Sequence, residues 1–392
     1  MPTKTHSGRK PFQTTIYAQG GFLLMSPHDQ VYFAQLRTLL FEEPTQRIFD
    51  IILTLFHNWE DSPERDVGIQ YAENHLQSWP DEFRQARPED CWRVFPSGNP
   101  SPSFRLIRHL HFSPTEFRAD EARKLVHTPY MQHVKSLTLA SNRIQADGIK
   151  IFMDSPYLAY LEELDLDYNE IGDEGALHIA QSPHMSRLKH LNLNSNGLTK
   201  EGIESLMHSP YIQGLETLHI NNNNIGPDGA RCIAKTAASM NYKELHLAGN
   251  AIAEGLEALA NTPALSQLHT LILDYNHIEP RSAVALAHSP HIRQLEVLSM
   301  SRNNIRDEGA IALAQSPVIN HVKELHLNAN SMTVNGVKAL AFSSYLGSSL
   351  RQHSMKRLST NILREESQKL EQPELQSAKR KELLKALLET KS

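Results

Sequence analysis

Three histidines in successive segments of the chain are the first candidates for chemistry. His190, His219 and His246 each stand in a short phrase of alternating apolar and polar residues. Three imidazoles held close together could ligate Zn²⁺. The chain has 21 histidines, however, and many lie outside such phrases. We therefore expect a solvated row of polar side chains here, with no metal and no cofactor.

A second candidate is the acidic phrase "DLDYN", which has the opening spacing of a calcium-binding loop. Asp165, Asp167 and Asn169 occupy its first, third and fifth positions. A calcium loop needs glycine at the sixth position and a bidentate glutamate at the twelfth. This chain has Glu170 and Ala176 there. We predict that no calcium ion binds to this phrase.

Familiar catalytic motifs are absent from the sequence. It has no phosphate-binding G-x-x-x-x-G-K, no H-E-x-x-H, no paired C-x-x-C and no G-x-S-x-G. Together with the rejected metal motifs, this absence predicts a protein that is not an enzyme.

Composition narrows the class further. The 392 residues are 40% hydrophobic and carry a formal net charge of −5, which argues against a dedicated nucleic-acid binder. Cys91 and Cys232 are too few for a disulfide framework. The longest apolar runs are too short to span a membrane. We predict a cytoplasmic, monomeric protein that binds neither membrane nor nucleic acid.

An internal repeat organises most of the chain. One asparagine follows the same L-x-x-L-x-L frame eight times, at steps of 27 residues with a single step of 26. These asparagines are Asn142, Asn169, Asn196, Asn223, Asn250, Asn276, Asn303 and Asn330. A fixed period of this length indicates stacked units, because no single unit can bury its own apolar face. We expect the shorter step, after Asn250, to shorten one connection without breaking the stack.

Within each repeat the hydrophobic period changes from two to about 3.6, which predicts a short strand followed by a helix. In one repeat, Leu164 and Leu166 point inward, and the buried Asn169 satisfies backbone groups at the turn. Asp173 is the predicted helix N-cap, and Gly175 should let the helix lie close to the strands. The pair Ser182-Pro183 should end the helix.

The repeated frame, in phrases such as "LEELDLDYNEIGDEGALHIAQSP", resembles the leucine-rich repeat family, in particular its ribonuclease-inhibitor-like class in a bacterial style. The resemblance covers residues 104–345, about nine units of 27 residues. It implies an α/β solenoid, with a curved parallel sheet on the concave side and helices on the convex side. The class includes inhibitors and adaptors that grip globular proteins.

The two ends lie outside the repeat. We expect residues 1–12 to be disordered and residues 13–103 to form a helical N-terminal cap or separate module. That region weakly resembles a helical companion domain that precedes bacterial leucine-rich repeats. Residues 346–392 read as a charged, partly helical tail.

Outward positions beside the inward leucines form the predicted binding surface on the concave side, because successive side chains of a strand point to opposite faces. Tyrosine and arginine are favoured interface anchors, and the neighbouring carboxylates supply charge. The predicted partner-binding residues are Asp165, Asp167, Tyr168, His219, His246, Asp274, Tyr275 and Arg302.

These features predict a non-catalytic scaffold that binds a partner protein. Two alternatives stay open. One family of small-GTPase activators resembles this repeat class, and Arg143 and Arg302 lie near the relevant edge. The other alternative is an adaptor that recruits substrates to other enzymes, or a secreted effector, with a second contact outside the repeats.

Overall fold

The computed structural model describes residues 15–18, 21–86, 101–112, 119–236 and 240–347. The expected disordered start at 1–12 and nearly all of the predicted tail at 346–392 lie outside these residues. The described residues form two compact units. The first draws on Met1–Phe112 and Thr128–Ser136, and the second on Ser113–His127 and Leu137–Ser392.

The N-terminal unit combines a hairpin, three helices and short strands. Strands β1 (Thr15–Ala18) and β2 (Gly21–Leu24) pair antiparallel. Helices α1 (Pro27–Leu40), α2 (Gln46–Asn58) and α3 (Pro63–Leu76) follow. Strand β3 (Gln85–Ala86) pairs in parallel with β4 (His109–His111). The helices predicted in this region are therefore present, and their capping role stays a prediction.

Each helix of this unit starts at a side-chain cap. The side chains of Ser26, Thr45 and Ser62 accept hydrogen bonds from amides in the first turns of α1, α2 and α3. Such caps satisfy amides that have no partner within the helix. Pro27 and Pro63 stand in the first turn, where the missing proline amide costs nothing.

Trp59 anchors the core of the N-terminal unit. Its ring is buried, stacks on Phe56 at a centroid distance of 5.9 Å, and donates its indole N–H to Asp29 Oδ1 at 2.7 Å. A Cβ atom on Gly68 would lie 2.9 Å from the Trp59 ring. Glycine at position 68 is therefore what lets α3 approach the indole.

The second unit contains the repeats, and each repeat is a three-residue strand followed by a helix. The strands are β5 (Ser136–Thr138, whose first residue belongs to the N-terminal unit), β6 (Glu163–Asp165), β7 (His190–Asn192), β8 (Thr217–His219), β9 (Glu244–His246), β10 (Thr270–Ile272), β11 (Val297–Ser299) and β12 (Glu324–His326). The helices are α4 (Ala119–Val126), α5 (Gln145–Met153), α6 (Gly172–Gln181), α7 (Lys200–Met207), α8 (Gly226–Thr236), α9 (Leu256–Asn261), α10 (Pro280–Ala287), α11 (Arg306–Ala314) and α12 (Val334–Ala341).

The strands form an open parallel sheet in which each pairs with the next along the chain. From β6 to β12 the register places equivalent residues of successive repeats side by side, as in Leu164 beside Leu191. The inward residues Leu164 and Leu166 are buried, and Ile179 and Ala180 bury one face of α6. The predicted change from strand to helix within each repeat is confirmed. No helix in the described residues is long and apolar enough to cross a membrane.

A ladder of buried asparagines joins successive turns. Asn196 Oδ1 accepts the amides of Asn169 and Ile171 at 3.0 and 3.3 Å, and Asn196 Nδ2 donates to the carbonyls of Leu166 and Asn194. Asn169 makes the equivalent bonds to the repeat before it. The asparagine ladder thus satisfies backbone groups that the turns would otherwise leave buried and unpaired.

A second ladder runs along the helix ends. In seven repeats a serine or threonine hydroxyl after the helix donates to a carbonyl at the end of the preceding repeat's helix, at 2.5–2.9 Å. Six of these residues stand directly before a proline, and Ser343 stands before Ser344. The donors are Ser155, Ser182, Ser209, Thr262, Ser289, Ser316 and Ser343. The Ser-Pro pair therefore ends one helix and also binds it to its neighbour.

The predicted N-cap role of Asp173 in its own helix is wrong. Asp173 lies in the first turn of α6, and its carboxylate accepts the amides of Thr199 and Gly202 and the hydroxyl of Thr199, at 2.6–3.0 Å. It therefore caps α7, the helix of the next repeat. Asp307 does the same for Thr333 and Gly336 at the start of α12.

The glycines of the repeats are not needed for close packing of helix against strand, which was the role predicted for Gly175. A Cβ atom on Gly175 would lie 2.6 Å from the side chain of Ile171, at the start of the same helix. A Cβ atom on Gly202 would lie 2.4 Å from Asp173 Oδ1. These glycines make room for the turn before their own helix or for the capping carboxylate, and not for the strand layer.

The single 26-residue step alters one connection and leaves the stack intact, as expected. A 3-10 turn at Ala253–Gly255 leads into α9, which has only six residues. Strands β9 and β10 keep their parallel register, and the Asn250 amide donates to Asn276 Oδ1 at 3.0 Å. Asn250 Oδ1, in contrast, is buried with no hydrogen-bond partner among the described residues.

The asparagine ladder predicts unequal costs for equivalent substitutions. Asn196→Ala removes two accepted and two donated bonds and should lower the free energy of unfolding by about 3 kcal/mol or more. Asn250→Ala should cost less, because its Oδ1 accepts nothing. Urea midpoints measured by circular dichroism compare the two variants. Equal losses would contradict the assigned bonding.

The cross-repeat cap predicts that Asp173→Ala lowers the free energy of unfolding by about 1–2 kcal/mol. The control Asp147→Ala, at an exposed position in the first turn of α5, should change it by less than about 0.5 kcal/mol. Gly202→Ala should be costly in the wild type and cheaper beside Asp173→Ala, because the Cβ atom then meets no carboxylate. Additive effects in this double-mutant cycle would refute the contact.

Candidate binding face of the repeats

The outward side chains of the strands and of the turn residues after them form one surface of the repeat unit, here called the strand face. In each repeat it comprises the residues six, four, two and one before the ladder asparagine. All eight predicted partner-binding residues occupy these positions: Asp165, Asp167, Tyr168, His219, His246, Asp274, Tyr275 and Arg302. Their roles differ, because the fold itself uses some of them.

Tyr168 and Tyr275 are the most exposed aromatic side chains of the strand face, at 58% and 55%. Both stand directly before a ladder asparagine, where the backbone of every repeat has a positive φ. Their φ angles are 55° and 57°, a region that bulky residues rarely adopt. The fold thus holds two exposed tyrosines in a backbone conformation better suited to glycine or asparagine, which Gly249 and Asn222 show at the same position.

Arg302 lies against the second tyrosine. Its guanidinium carbon is 5.1 Å from the centre of the Tyr275 ring, within the range of a cation–π contact. Arg302 also has a positive φ of 56° and lies one strand beyond Tyr275. The pair forms a mixed aromatic and cationic patch at the edge of the strand face.

Two of the predicted carboxylates are engaged within the array. Asp274 accepts the hydroxyl of Ser299 at 2.7 and 2.8 Å and the amide of Ser301 at 2.5 Å. Asp165 accepts the amide of Asp167 at 3.0 Å. Both side chains therefore brace the turns of their repeats.

Asp167 differs from its counterpart Asp274. Its Oδ1 atom is buried and has no hydrogen-bond partner among the described residues. Burial and the nearby charge of Asp165 raise the pKa of Asp167 above its ordinary value. The Tyr168 amide interacts with this carboxylate, but its Oδ1 atom accepts no hydrogen bond from any described residue.

His219 and His246 come together on neighbouring strands. Their rings stack with centroids 3.8 Å apart and planes 16° from parallel. Glu244 Oε2 lies 4.0 Å from His219 Nε2 and 3.9 Å from His246 Nε2. Burial lowers the pKa of both imidazoles, and the neighbouring His219 ring helps to lower the pKa of His246 to about 4. Both rings are therefore neutral near pH 7.

The solvated polar row expected at the histidines is only partly present. The Nε2 atoms of His219 and His246 are buried, which alternation along the strands alone did not predict. His190 pairs in register with Thr217, two residues before His219, so it does not lie directly beside the stacked pair. Sequence reasoning missed Glu244 as a neighbour of both rings, although the phrase "ELH" placed it two residues before His246 on the same face.

The two arginines of the GTPase-regulator alternative have partners. Arg143 Nε lies 3.8 Å from Glu170 Oε1 in an exposed pair, and Arg302 lies over Tyr275. Neither arginine is presented as an isolated cation on the strand face, so the arrangement gives that alternative no specific support.

The N-terminal unit has an exposed apolar groove of its own, with a volume of about 700 Å³. Val31 and Ile51, on α1 and α2, line it and are 56% and 40% exposed. Tyr32 forms part of the wall and stacks on Trp59 at 5.4 Å. The groove is a second surface of the protein where apolar side chains reach solvent.

Comparisons with known proteins agree with the repeat architecture. The family model described as leucine-rich repeat matches residues 130–152, 157–180, 184–207, 213–234, 291–314 and 318–341. A comparison with curated proteins finds no match.

Solved structures show distant similarity. An internalin from Listeria monocytogenes aligns with a TM-score of 0.41 and 17% identity, covering 62% of this chain and 67% of that one. Rad7, in its complex with Elc1 from yeast, aligns with a TM-score of 0.43 and 13% identity, covering 85% of this chain and 87% of that one.

The ribonuclease-inhibitor-like class and the bacterial style stay predictions. The repeated frame, the parallel sheet with one helix per repeat, the asparagine ladder and the six matched segments identify the family. The chain is a leucine-rich repeat protein.

Proposed function

We propose that this protein is a non-catalytic scaffold that binds a partner protein through the strand face of its repeats. Tyr168 and Tyr275 carry the proposal, because the fold keeps both exposed in a backbone conformation that bulky residues avoid. Backbone strain of this kind is typically found at functional sites. Small residues at the same position of other repeats make the same turn, so folding alone does not require tyrosine.

The spacing of the tyrosines suits a partner of protein size. Four strand steps separate them, and strands lie about 4.8 Å apart, so the two rings are roughly 19 Å apart along the sheet. Standard protein interfaces bury about 800 Å² on each side, which a patch of this width can supply. Large, amphipathic tyrosine rings are common energetic centres of such interfaces.

Charge adds specificity to the two aromatic anchors. Asp167, beside Tyr168, has an unused buried acceptor, which a lysine, an arginine or an amide of a partner would satisfy. The Arg302 guanidinium, held over the Tyr275 ring, keeps its positive charge and would pair with an acidic group of a partner. The proposed partner therefore offers a hydrogen-bond donor near Tyr168 and an acidic group near Tyr275.

Replacing both tyrosines by asparagine tests the proposal, because asparagine tolerates a positive φ. Tyr168→Asn/Tyr275→Asn should leave the urea midpoint unchanged or raised, with a gain of up to about 1 kcal/mol. The same variant should weaken binding of the partner at least about 30-fold. The partner is the protein recovered with the intact wild-type chain from cells of the source, and its affinity is measured by biolayer interferometry.

Tyr160→Asn is the matched control. Tyr160 is 49% exposed and lies 4.6 Å below the guanidinium of Arg187, but it precedes the strand and has no positive φ. Its substitution should leave the affinity unchanged. If Tyr168→Asn/Tyr275→Asn bound the partner with wild-type affinity, the proposed binding site would be wrong.

A further inference from the structure

The stacked histidines and Glu244 bring three potential metal ligands to one point of the strand face. One ring nitrogen of His219, one of His246 and one Glu244 carboxylate oxygen all lie within 4.8 Å of one another. Parallel pairing of β8 with β9 sets His219 directly beside His246, and Glu244 stands two residues earlier on β9. The backbone register therefore fixes the convergence of these three side chains.

The two ring nitrogens lack partners where the fold has buried them. Neither Nε2 atom forms a hydrogen bond within the described part of the chain. The Glu244 oxygen, at 3.9–4.0 Å, is too far away to bond to either ring. A buried polar atom without a partner destabilises the fold, and here two such atoms lie near the same carboxylate.

The charges around the cluster suit a metal ion, which binds to the free electron pair of an imidazole nitrogen. The facing charged groups are the carboxylate of Glu244 and that of Asp165, two strands away from His219, and both favour a cation. His190 is the neighbouring titratable group that opposes one.

We infer that His219, His246 and Glu244 form a binding site for a divalent transition-metal ion, with Zn²⁺ as the best fit. Two imidazoles and one carboxylate are a common donor set for zinc, and water fills the remaining positions. Ligands about 2.0–2.1 Å from zinc lie about 3.4 Å from one another in a tetrahedral site, so the donor atoms must move closer together. The two stacked rings, now 16° from parallel, must also turn until their in-plane electron pairs converge on the ion. Glu244 is 46% exposed and free to turn toward the rings.

The chain contains its own comparison site. The phrase "ELH" recurs as Glu324 and His326 on β12, with His326 Nε2 3.7 Å from Glu324 Oε2. Ser299 stands where a second imidazole would be needed. This pair offers two ligands in place of three and should bind Zn²⁺ far more weakly.

Calorimetric titration of the full-length, metal-free protein with Zn²⁺ near pH 7 tests the site. We expect one saturable site, which His219→Ala, His246→Ala or Glu244→Gln weakens by roughly 100-fold or more. His326→Ala and His190→Ala should leave its affinity unchanged. Co²⁺ bound in place of Zn²⁺ should give the visible absorption of a tetrahedral site with nitrogen and oxygen ligands, and the three ligand variants should lose it.

Folding is checked for each variant by circular dichroism, and Glu244→Gln keeps the test valid should a histidine variant unfold. A site that persists in Glu244→Gln and in a folded His219→Ala variant would overturn the assignment. The inference would also be overturned if the wild-type protein bound Zn²⁺ no more tightly than the triple variant His219→Ala/His246→Ala/Glu244→Gln. Loss of Zn²⁺ binding in His326→Ala would show that the metal binds on β12, and this result would also refute the inference.

Discussion

The array depends on one constraint: a turn between strand and helix buries backbone groups that only the next repeat can satisfy. Asn196 meets this need for the turn at Asn169, and Asn169 meets it for the turn at Asn142. Removing one asparagine therefore affects the repeat before it, while its own turn is supported by the repeat after it. Stability is accordingly a property of neighbouring pairs, as expected for a linear array.

The same constraint explains which positions can vary. The asparagine ladder needs a left-handed residue directly before each asparagine, and Ser141, Tyr168, Gly249 and Arg302 all adopt that conformation. Side-chain identity at this position contributes little to the turn, because the neighbouring asparagine holds the backbone. The array therefore tolerates an exposed tyrosine at this position, although the left-handed backbone conformation is unfavourable for tyrosine.

Much of the fold follows from the sequence, because the buried leucines and asparagines recur at a fixed period that only stacked units explain. Contacts between side chains of different repeats did not follow from that period. Asp173 looked like a cap for its own helix, yet Thr199 and Gly202 of the next repeat bind it. The sequence did contain a sign of this contact. An aspartate in one repeat is followed by a threonine in the next, both at Asp173 and Thr199 and at Asp307 and Thr333. The burial of His219 and His246 had no such signal, because it arises from ring stacking across two strands.

The strand face differs from the rest of the array in how its polar groups are satisfied. Along the turns and helix ends, asparagine, serine and aspartate side chains bind across repeats. On the strand face, Asp167 Oδ1 and the Nε2 atoms of the two stacked histidines are buried without partners in the described chain. An external donor at Asp167 and a cation between the imidazoles would each remove a cost that the array leaves in place. Buried atoms without partners also occur off this face, as at Asn250 Oδ1 in the asparagine ladder. On the strand face, however, three of them lie on the surface that also presents the strained tyrosines.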